Sequence, residues 1–290
     1  MKKILVTGSN GQLGSEIKKI ASAHPGFEFI FTDIEELDLT KPEAVESFFK
    51  QNSIDICINC AAHNAVDKAV EEPSAAFLLN TDVVDKLAKI CAKYGTLLVH
   101  FSTDYVFEGN NSTPYIETET ASPQTIYGLS KRKGEQLALE FAERVIIIRT
   151  SWLYSVYNHN FVKTIMRLLS EREQIEVVND QIGTPTFAGD LAKAVLAILS
   201  KIGNKPIKEI YHYSNEGVAS WYDFAVAIKE LSGYNCKVLP VESGKFPTKA
   251  IRPHYSVLNK TKIKTDFGIE IPYWRDSLKL VIDELFKNNL

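Results

Sequence analysis

The sequence predicts an α/β protein built on a doubly wound parallel sheet with a smaller C-terminal lobe. Short β-branched segments alternate with helix-length segments through the first half of the 290-residue chain, as in parallel strands joined by crossover helices. Glycines punctuate the junction between the first strand and the first helix, which is typical of Rossmann-type sheets. After about residue 150 the pattern loosens among scattered prolines. We therefore expect a Rossmann domain over residues 1–150, completed by later segments, and a lobe over residues 151–290 that is not cleanly separable from it.

Strands are expected wherever a short β-branched run is bounded by turn residues. They cover residues 3–7, 27–32, 54–59, 97–101 and 145–149. An amphipathic helix over residues 12–23 follows the first strand, and Ser220 is placed to cap a helix that extends to Lys229. Right-handed crossovers bring the carboxyl ends of parallel strands to one edge of the sheet, so a ligand crevice is expected there.

The composition is that of an ordinary globular protein, with 45% hydrophobic and 24% charged residues. A net charge of -3 without a basic run argues against nucleic acid or an anionic membrane as a partner. No apolar stretch reaches the roughly 20 residues that span a bilayer, and the first residues resemble a strand rather than a signal peptide. We expect a cytoplasmic protein.

The 4 cysteines are too few for a disulfide scaffold in a chain of this length. Cys57 and Cys60 form a C-x-x-C pair, but strand positions three apart point to opposite faces of a sheet. Their thiols would not converge, and no second pair of ligands accompanies them. We expect structural cysteines and predict no metal site from them.

A glycine-rich loop joins the first strand to the first helix. Gly8, Gly11 and Gly14 form G-x-x-G-x-x-G, which lets the backbone approach a pyrophosphate at the helix N-terminus. A dinucleotide is therefore the expected cofactor. The cofactor-binding residues expected in this loop are Gly8, Asn10, Gly11, Gln12, Leu13 and Gly14.

Acidic and small residues after the second and third strands extend the predicted cofactor site. Asp33 follows the loop by the spacing at which an acid binds the adenosine ribose 2′-OH, which favours NADH over NADPH. Asp38, beside Leu39, is placed to meet the adenine amino group, although the same stretch also fits a simple helix start at Pro42. The expected cofactor contacts after the third strand are Ala61, Ala62 and His63. A lone histidine is more often a packing residue than a catalytic acid.

The stretch from Tyr127 to Lys131 carries the predicted chemistry. On a helix, positions i and i+4 share a face, so an ammonium would lie beside a phenol. A neighbouring cation lowers the pKa of a phenol from its usual value of about 10, which favours proton transfer at working pH. Thr103 ends the fourth strand, where its hydroxyl is placed to bind the reacting oxygen. Alone, each of these features is also compatible with a surface pair or a strand end.

In their order along the chain, these motifs resemble those of the extended short-chain dehydrogenase/reductases. The resemblance covers nearly the whole chain. Residues 62–73, 102–107, 149–154, 160–164 and 179–186 further resemble the dTDP-4-dehydrorhamnose reductases. The resemblance implies reduction of the C4 ketone of a dTDP-sugar, dTDP-4-dehydro-L-rhamnose. Tyr127 would donate the proton, Lys131 would hold the nicotinamide ribose, and Thr103 would orient the carbonyl.

The resemblance also implies a substrate site, a cofactor preference and an assembly. The C-terminal lobe would bind the substrate, and the residues that would line the sugar and pyrophosphate sites are Val66, Thr103, Asp104, Tyr105, Trp152 and Arg252. Members of the family often prefer NADPH or accept both cofactors, whereas Asp33 favours NADH. Some relatives form homodimers with Mg²⁺ at an acidic interface, which the sequence does not locate.

Other functions share parts of this pattern. Sugar-nucleotide 4,6-dehydratases usually carry Thr-Asp-Glu where this chain has Tyr105 as the third residue, which argues against elimination of water. A 4-epimerase also needs the tyrosine and lysine, but its other segments fit less well. A dinucleotide-binding regulatory subunit, resembling the one that accompanies methionine adenosyltransferase, retains the same residues and stays open.

Overall fold

The computed structural model describes residues 1–288. The strands are β1 (Lys2–Thr7), β2 (Phe27–Thr32), β3 (Ile56–Asn59), β4 (Leu97–Thr103), β5 (Val145–Thr150), β6 (Leu153–Tyr154), β7 (Gln174–Val178), β8 (Ile182–Gly183), β9 (Thr186–Phe187), β10 (Lys208–His212), β11 (Ala219–Ser220) and β12 (Lys237–Val241). The α-helices are α1 (Gln12–Ile20), α2 (Pro42–Asn52), α3 (Val66–Glu71), α4 (Pro73–Phe77), α5 (Val83–Lys93), α6 (Ile126–Phe141), α7 (Phe161–Glu171), α8 (Ala188–Ile202), α9 (Trp221–Ser232), α10 (Thr261–Phe267) and α11 (Trp274–Lys287).

The central sheet has six parallel strands in the order β2-β1-β3-β4-β5-β10. The chain begins at β1, moves outward to β2 and then returns to pair β3 with the other side of β1. Strand order therefore reverses between β1 and β3, which is where such sheets bind ligands. This topology confirms the predicted α/β Rossmann-type fold. Strand β10 comes from the second half of the chain, and the last two residues of the predicted lobe lie outside the described part.

The predicted element boundaries differ from the structure by a few residues. The first α-helix ends at Ile20 and continues as a 3₁₀ turn, where the prediction ran to Ala23. Strand β3 begins at Ile56, two residues later than predicted, and the Ile54 carbonyl accepts the Thr96 hydroxyl instead of a strand partner. Strand β4 extends to Thr103, because its last residues continue to pair with β5.

Both faces of the sheet are covered by helices, as a parallel sheet requires. Side chains alternate along β1, so that Ile4 packs with α1 and α8 whereas Leu5 packs with α2 and α5. Cys57 and Cys60 likewise lie on opposite faces, and all four cysteines are free, which confirms that the C-x-x-C thiols do not converge. Across residues 1–288 no helix is both long and apolar enough to cross a membrane.

The C-terminal lobe has its own core, formed by α7, α9 and α11. Helix α9 begins as predicted, with Ser220 as its N-cap in a capping box with Asp223. The Ser220 hydroxyl accepts the Asp223 amide at 3.0 Å, and the Asp223 carboxylate accepts the Ser220 amide at 2.9 Å. These reciprocal bonds satisfy amides that the helix itself leaves unpaired.

Helix α6 is held against a π-helical turn at Leu78–Asp82. A Cβ at Gly134 would overlap the backbone carbonyl of Asn80, so only glycine permits this approach. The Asn80 side chain accepts the His63 amide at 2.9 Å and donates to the Ser130 hydroxyl at 3.0 Å. The π-helical turn therefore ties α6 to the loop that follows β3.

Gly134→Ala tests whether this close approach sets the position of α6. Alanine favours a helix over glycine by about 1 kcal/mol, but the overlap with the Asn80 carbonyl costs about 1–3 kcal/mol. We expect the melting temperature to fall by about 2–4 °C. Gly26→Ala is the control, because a Cβ at Gly26 has no neighbour within 4 Å in the described chain. A higher melting temperature for Gly134→Ala in a thermal unfolding experiment would contradict the close packing.

Candidate active site

A cavity of about 530 Å³ lies at the carboxyl edge of the central sheet, between the sheet and the C-terminal lobe. It contains most of the residues that the sequence singled out. The predicted residues that line it are Gly11, Gln12, Leu13, Ala62, Val66, Thr103, Asp104, Tyr105, Tyr127, Lys131 and Trp152. The crevice therefore lies where the strand order predicts it.

The glycine loop forms the cofactor end of the cavity. Gly8 has a φ of 60°, and a Cβ there would lie 2.7 Å from the Ala61 backbone nitrogen. A Cβ at Gly14 would lie 2.6 Å from the Gly8 carbonyl oxygen. The loop is thus packed tightly against the loop after β3, and the first amides of α1 have no carbonyl partner within the helix. These amides and the bare backbone fit the pyrophosphate of a dinucleotide.

Asp33 lies beside the glycine loop, outside the lining of the cavity. Its carboxylate accepts the amides of Asn10 and Ile34, each at 2.9 Å. These bonds hold the loop to the end of β2, so Asp33 has a structural role whether or not it also binds a ribose. Its proposed contact with the ribose stays a prediction.

Asp38 and Leu39 belong to the turn that leads into α2, and neither lines the cavity. The Thr40 hydroxyl donates to the Asp38 carboxylate at 2.7 Å, and this bond lowers the pKa of the carboxyl group. The Leu39 side chain is buried in the core beside α2 and α5. Only the backbone of Leu39 is therefore available to a cofactor, and both roles stay predictions.

The loop after β3 is fixed by two asparagines. Asn59 accepts the Ala61 amide at 3.2 Å, and the Asn80 side chain bonds to both the amide and the carbonyl of His63. The His63 side chain lies outside the cavity lining, and its buried Nδ1 has no hydrogen-bond partner in residues 1–288. Its position favours packing over acid catalysis.

Tyr127 and Lys131 share one face of α6 as predicted, and both are buried. The Lys131 ammonium donates to the Phe101 carbonyl at 2.6 Å. Burial raises the pKa of the Tyr127 phenol above its usual value, and the Thr103 hydroxyl opposes this rise only in part. The expected lowering of the phenol pKa by Lys131 is therefore wrong for this structure, because burial outweighs the other influences on the phenol. Burial also lowers the pKa of Lys131 to about 8.

Thr103 and Asp104 form the polar end of β4. The Thr103 hydroxyl donates to Asp104 Oδ1 at 2.9 Å and accepts the Tyr105 amide at 3.2 Å. Asp104 is buried, its Oδ2 has no hydrogen-bond partner in the described residues, and burial raises the pKa of its carboxyl group to about 6. The carboxylate therefore orients the threonine hydroxyl beside Tyr127.

Two stacked tryptophans form part of the cavity wall. The rings of Trp152 and Trp221 stack with centroids 3.5 Å apart and planes within 8°. Trp152 has a φ of 46°, an unfavourable backbone conformation of the kind found at functional sites. Arg252 lies beside the cavity, where it donates to the Tyr105 hydroxyl at 3.1 Å and pairs with Asp67.

The sequence did not predict the residues that join the C-terminal lobe to the glycine loop. Asn158 donates to the Asn10 carbonyl at 2.7 Å, and Asn160 donates to Gln12 Oε1 at 3.0 Å. Both asparagines and Trp221 line the cavity. Each asparagine lies 148 residues from its partner, and no local spacing indicates such a contact.

The structure does not support the Mg²⁺ ion that the family resemblance implies. Within residues 1–288, no three His, Cys, Asp or Glu side chains form a group that could hold a metal ion. The homodimer implied by the same resemblance stays a prediction.

Comparison with known proteins identifies the family. A sequence profile described as the RmlD substrate binding domain matches residues 1–287. The dTDP-4-dehydrorhamnose reductase of Aggregatibacter actinomycetemcomitans is 39% identical over 288 residues, which cover 96% of this chain and 98% of the relative. The chain belongs to the dTDP-4-dehydrorhamnose reductase family. The predicted family is confirmed.

Solved structures of the family agree in fold. A dTDP-4-dehydrorhamnose reductase from Clostridium acetobutylicum has a TM-score of 0.93 at 40% identity, over 98% of this chain and 99% of that one. The Bacillus anthracis reductase, solved in complex with NADP, has a TM-score of 0.93 at 35% identity, over 98% of this chain and 100% of that one. These similarities extend through both the sheet and the C-terminal lobe.

Asp104→Asn tests the burial of this carboxyl group. Its pKa in the folded protein, about 6, exceeds the ordinary value of 3.8. Between these two values the folded state keeps a proton that the unfolded state has released. The folded state therefore loses stability as the pH rises from about 4 to about 6. The stability of the variant relative to the parent should therefore rise by about 1 kcal/mol between pH 5 and 7.5. Urea unfolding at the two pH values measures this difference. Asp283→Asn, at an exposed position, is the control. If the stability difference between Asp104→Asn and the parent were the same at both pH values, the raised pKa of the buried carboxyl group would be contradicted.

Proposed function

We propose that this chain reduces dTDP-4-dehydro-L-rhamnose to dTDP-L-rhamnose with NADPH or NADH, as an oxidoreductase of dTDP-rhamnose and hence polysaccharide biosynthesis. The observation that carries this proposal is the convergence of Thr103, Tyr127 and Lys131 with the glycine loop in one cavity. The proposal is further supported by the names of relatives that match nearly the whole chain.

The glycine loop and Lys131 together would hold the cofactor. The amides at the start of α1 bind the pyrophosphate, and Asp33 lies at the adenosine end of the loop. Lys131 reaches from α6 toward the end of β4, where its ammonium is placed to bind the nicotinamide ribose. When bound, the nicotinamide supplies a hydride to C4 of the sugar.

Tyr127 supplies the proton that completes the reduction. Its buried phenol is neutral, because its pKa is raised, so it carries the proton needed at the carbonyl oxygen. The Thr103 hydroxyl, which donates to Asp104 Oδ1 in the free protein, would turn its proton to that oxygen and so fix its position. As the proton leaves, the Lys131 ammonium stabilises the phenolate that forms. The ketone thus gains a hydride at carbon and a proton at oxygen and becomes an alcohol.

The residues assigned to the substrate belong to the same cavity. Val66, Tyr105 and Trp152 line it and would form the walls of the sugar site. Arg252 is the cation beside this wall, and we assign it to the substrate pyrophosphate. Its present partners are Asp67 and the Tyr105 hydroxyl, so it would exchange at least one of them for the phosphate.

The choice between the two cofactors depends on Asp33. Its carboxylate would accept a ribose hydroxyl and would repel a 2′-phosphate as a like charge, which favours NADH. The Bacillus anthracis relative, in contrast, is described in complex with NADP. We therefore propose that both cofactors are accepted.

The four free cysteines support a cytoplasmic location, where thiols stay reduced.

Tyr127→Phe tests the proposed proton donor. Removal of the general acid should lower kcat by about 10²–10⁴-fold, while the affinity for the cofactor stays unchanged. Absorbance of the reduced nicotinamide, followed with dTDP-4-dehydrorhamnose and each cofactor in parallel, measures both the turnover and the cofactor preference. Cofactor binding is measured separately by fluorescence.

Tyr273→Phe is the matched control, since Tyr273 is exposed and lies outside the cavity lining. It should retain the turnover of the parent protein. Turnover of Tyr127→Phe at the parent rate would rule out this proton donor. Tight dinucleotide binding by the parent without turnover of any sugar nucleotide would favour the regulatory-subunit alternative.

A further inference from the structure

A buried ion pair joins α6 to the sheet one helical turn beyond Lys131. Glu135 and Arg149 are 0% and 1% exposed. Arg149 Nε donates to Glu135 Oε1 at 2.8 Å, and Nη2 donates to Oε2 at 2.8 Å. Such parallel bonds fix direction as well as distance, because the planar guanidinium matches the carboxylate. The function proposed above gives neither residue a role.

The surroundings of the pair hold it in one arrangement. Arg132 donates to Glu135 Oε2 at 2.8 Å, and His212 Nε2 lies 3.4 Å from Arg149 Nη1. The Phe107 ring covers the guanidinium, with its centroid 4.9 Å away. Three elements, α6, β5 and β10, therefore meet at this pair.

Stability alone is a weak explanation for this ion pair. Removing two charges from water costs several kcal/mol each, and an apolar pair of similar volume often gives an equally stable protein. An apolar pair does not reproduce the fixed direction of a bidentate hydrogen bond. The pair is therefore better explained by the position that it imposes on α6.

The pair and Lys131 fix the same helix at successive turns. Lys131 and Glu135 are four residues apart on α6 and share a face. Lys131 is bound to the Phe101 carbonyl on β4, and Arg149 is the register partner of the next residue, Ser102. Two anchors about 6 Å apart along the helix axis fix both its rotation and its translation. Tyr127, one turn further toward the N-terminus, is thereby directed at the end of β4.

Charge adds a second effect of the pair on the site. Burial lowers the pKa of the Lys131 ammonium to about 8, and the Glu135 carboxylate opposes this loss of the proton. Tyr127 on the same helix and His100 on β4 are further titratable groups near Lys131, and burial keeps both neutral. Glu135 is thus the acidic charge that favours the protonated lysine.

We propose that Glu135 and Arg149 are positioning residues for the reduction, whose ion pair sets the register of α6 on β4 and β5 and so places Tyr127 and Lys131 at Thr103. They act through these residues and touch neither the substrate nor the cofactor. The catalytic part of this inference rests on the proposed function, whereas the placement of Lys131 does not.

The kinetic test separates position from stability with a double variant. In Glu135→Leu/Arg149→Met no buried charge of the pair is left unpaired, so we expect a folded protein of similar melting temperature. Its kcat should nevertheless fall about tenfold or more, with KM for the sugar nucleotide little changed, because a small displacement of the reacting groups is costly. A kcat equal to that of the parent would overturn the proposal.

Two controls accompany the double variant. Glu140→Gln removes an exposed carboxylate from the same helix and should leave kcat unchanged. Ile165→Ala truncates the core of the C-terminal lobe and lowers stability away from α6. If the melting temperature falls in both variants and kcat falls equally in both, lost stability explains both results and the proposal is overturned.

The decisive test needs no turnover, so failure of the proposed function does not affect it. Lys131 is labelled with acetic anhydride at a series of pH values, and its modification is followed by mass spectrometry in the parent and in Glu135→Gln. Loss of the carboxylate charge should move the midpoint of labelling to lower pH, because the ammonium loses its opposing charge. The same shift should be absent in Glu140→Gln. In Glu135→Leu/Arg149→Met, displacement of α6 should also change the rate at which Lys131 is labelled above the midpoint. An unchanged midpoint in Glu135→Gln together with an unchanged rate in the double variant would overturn the proposal.

Discussion

The docking of one helix on the end of one strand underlies the whole site. The Lys131 ammonium of α6 donates to the Phe101 carbonyl of β4, two residues before Thr103 at the end of that strand. Its consequences extend in both directions along α6. Toward the N-terminus of α6, the contact places Tyr127 in the cavity. Toward the C-terminus, the next turn of the helix carries Glu135, which pairs with Arg149. The reactive geometry therefore depends on the sheet more than on the loops that cover it.

Burial, rather than the charge of a neighbour, is the largest influence on the pKa values of the site. It raises the pKa of the Tyr127 phenol, raises that of the Asp104 carboxyl to about 6 and lowers that of the Lys131 ammonium to about 8. Each shift favours the neutral form, because a charged group loses hydration when it is buried. A neutral phenol is the form that reduction of a ketone requires, since it must donate a proton. The Lys131 ammonium would then act by stabilising the phenolate that forms as the proton leaves.

Local patterns in the sequence predicted the parts of the site that lie close together along the chain. The glycine loop, the face shared by Tyr127 and Lys131, and Thr103 at a strand end all follow from helix and strand geometry, and the structure brings them to one cavity. The contacts of Asn158 and Asn160 with the glycine loop could not be predicted, because residues far apart in the chain meet only through folding. The direction of the Tyr127 pKa was predicted wrongly for a related reason, since spacing shows neighbours along a helix but does not show burial.

The most direct measurement is the ionisation of Tyr127 itself. Protein labelled with ¹³Cζ-tyrosine is titrated without cofactor and followed by NMR, and Tyr127→Phe identifies the resonance of this residue. We expect the Tyr127 resonance to show no ionisation shift up to about pH 10, the usual pKa of a free phenol. A midpoint near pH 7 would contradict it, because the lysine would then control the phenol and burial would not.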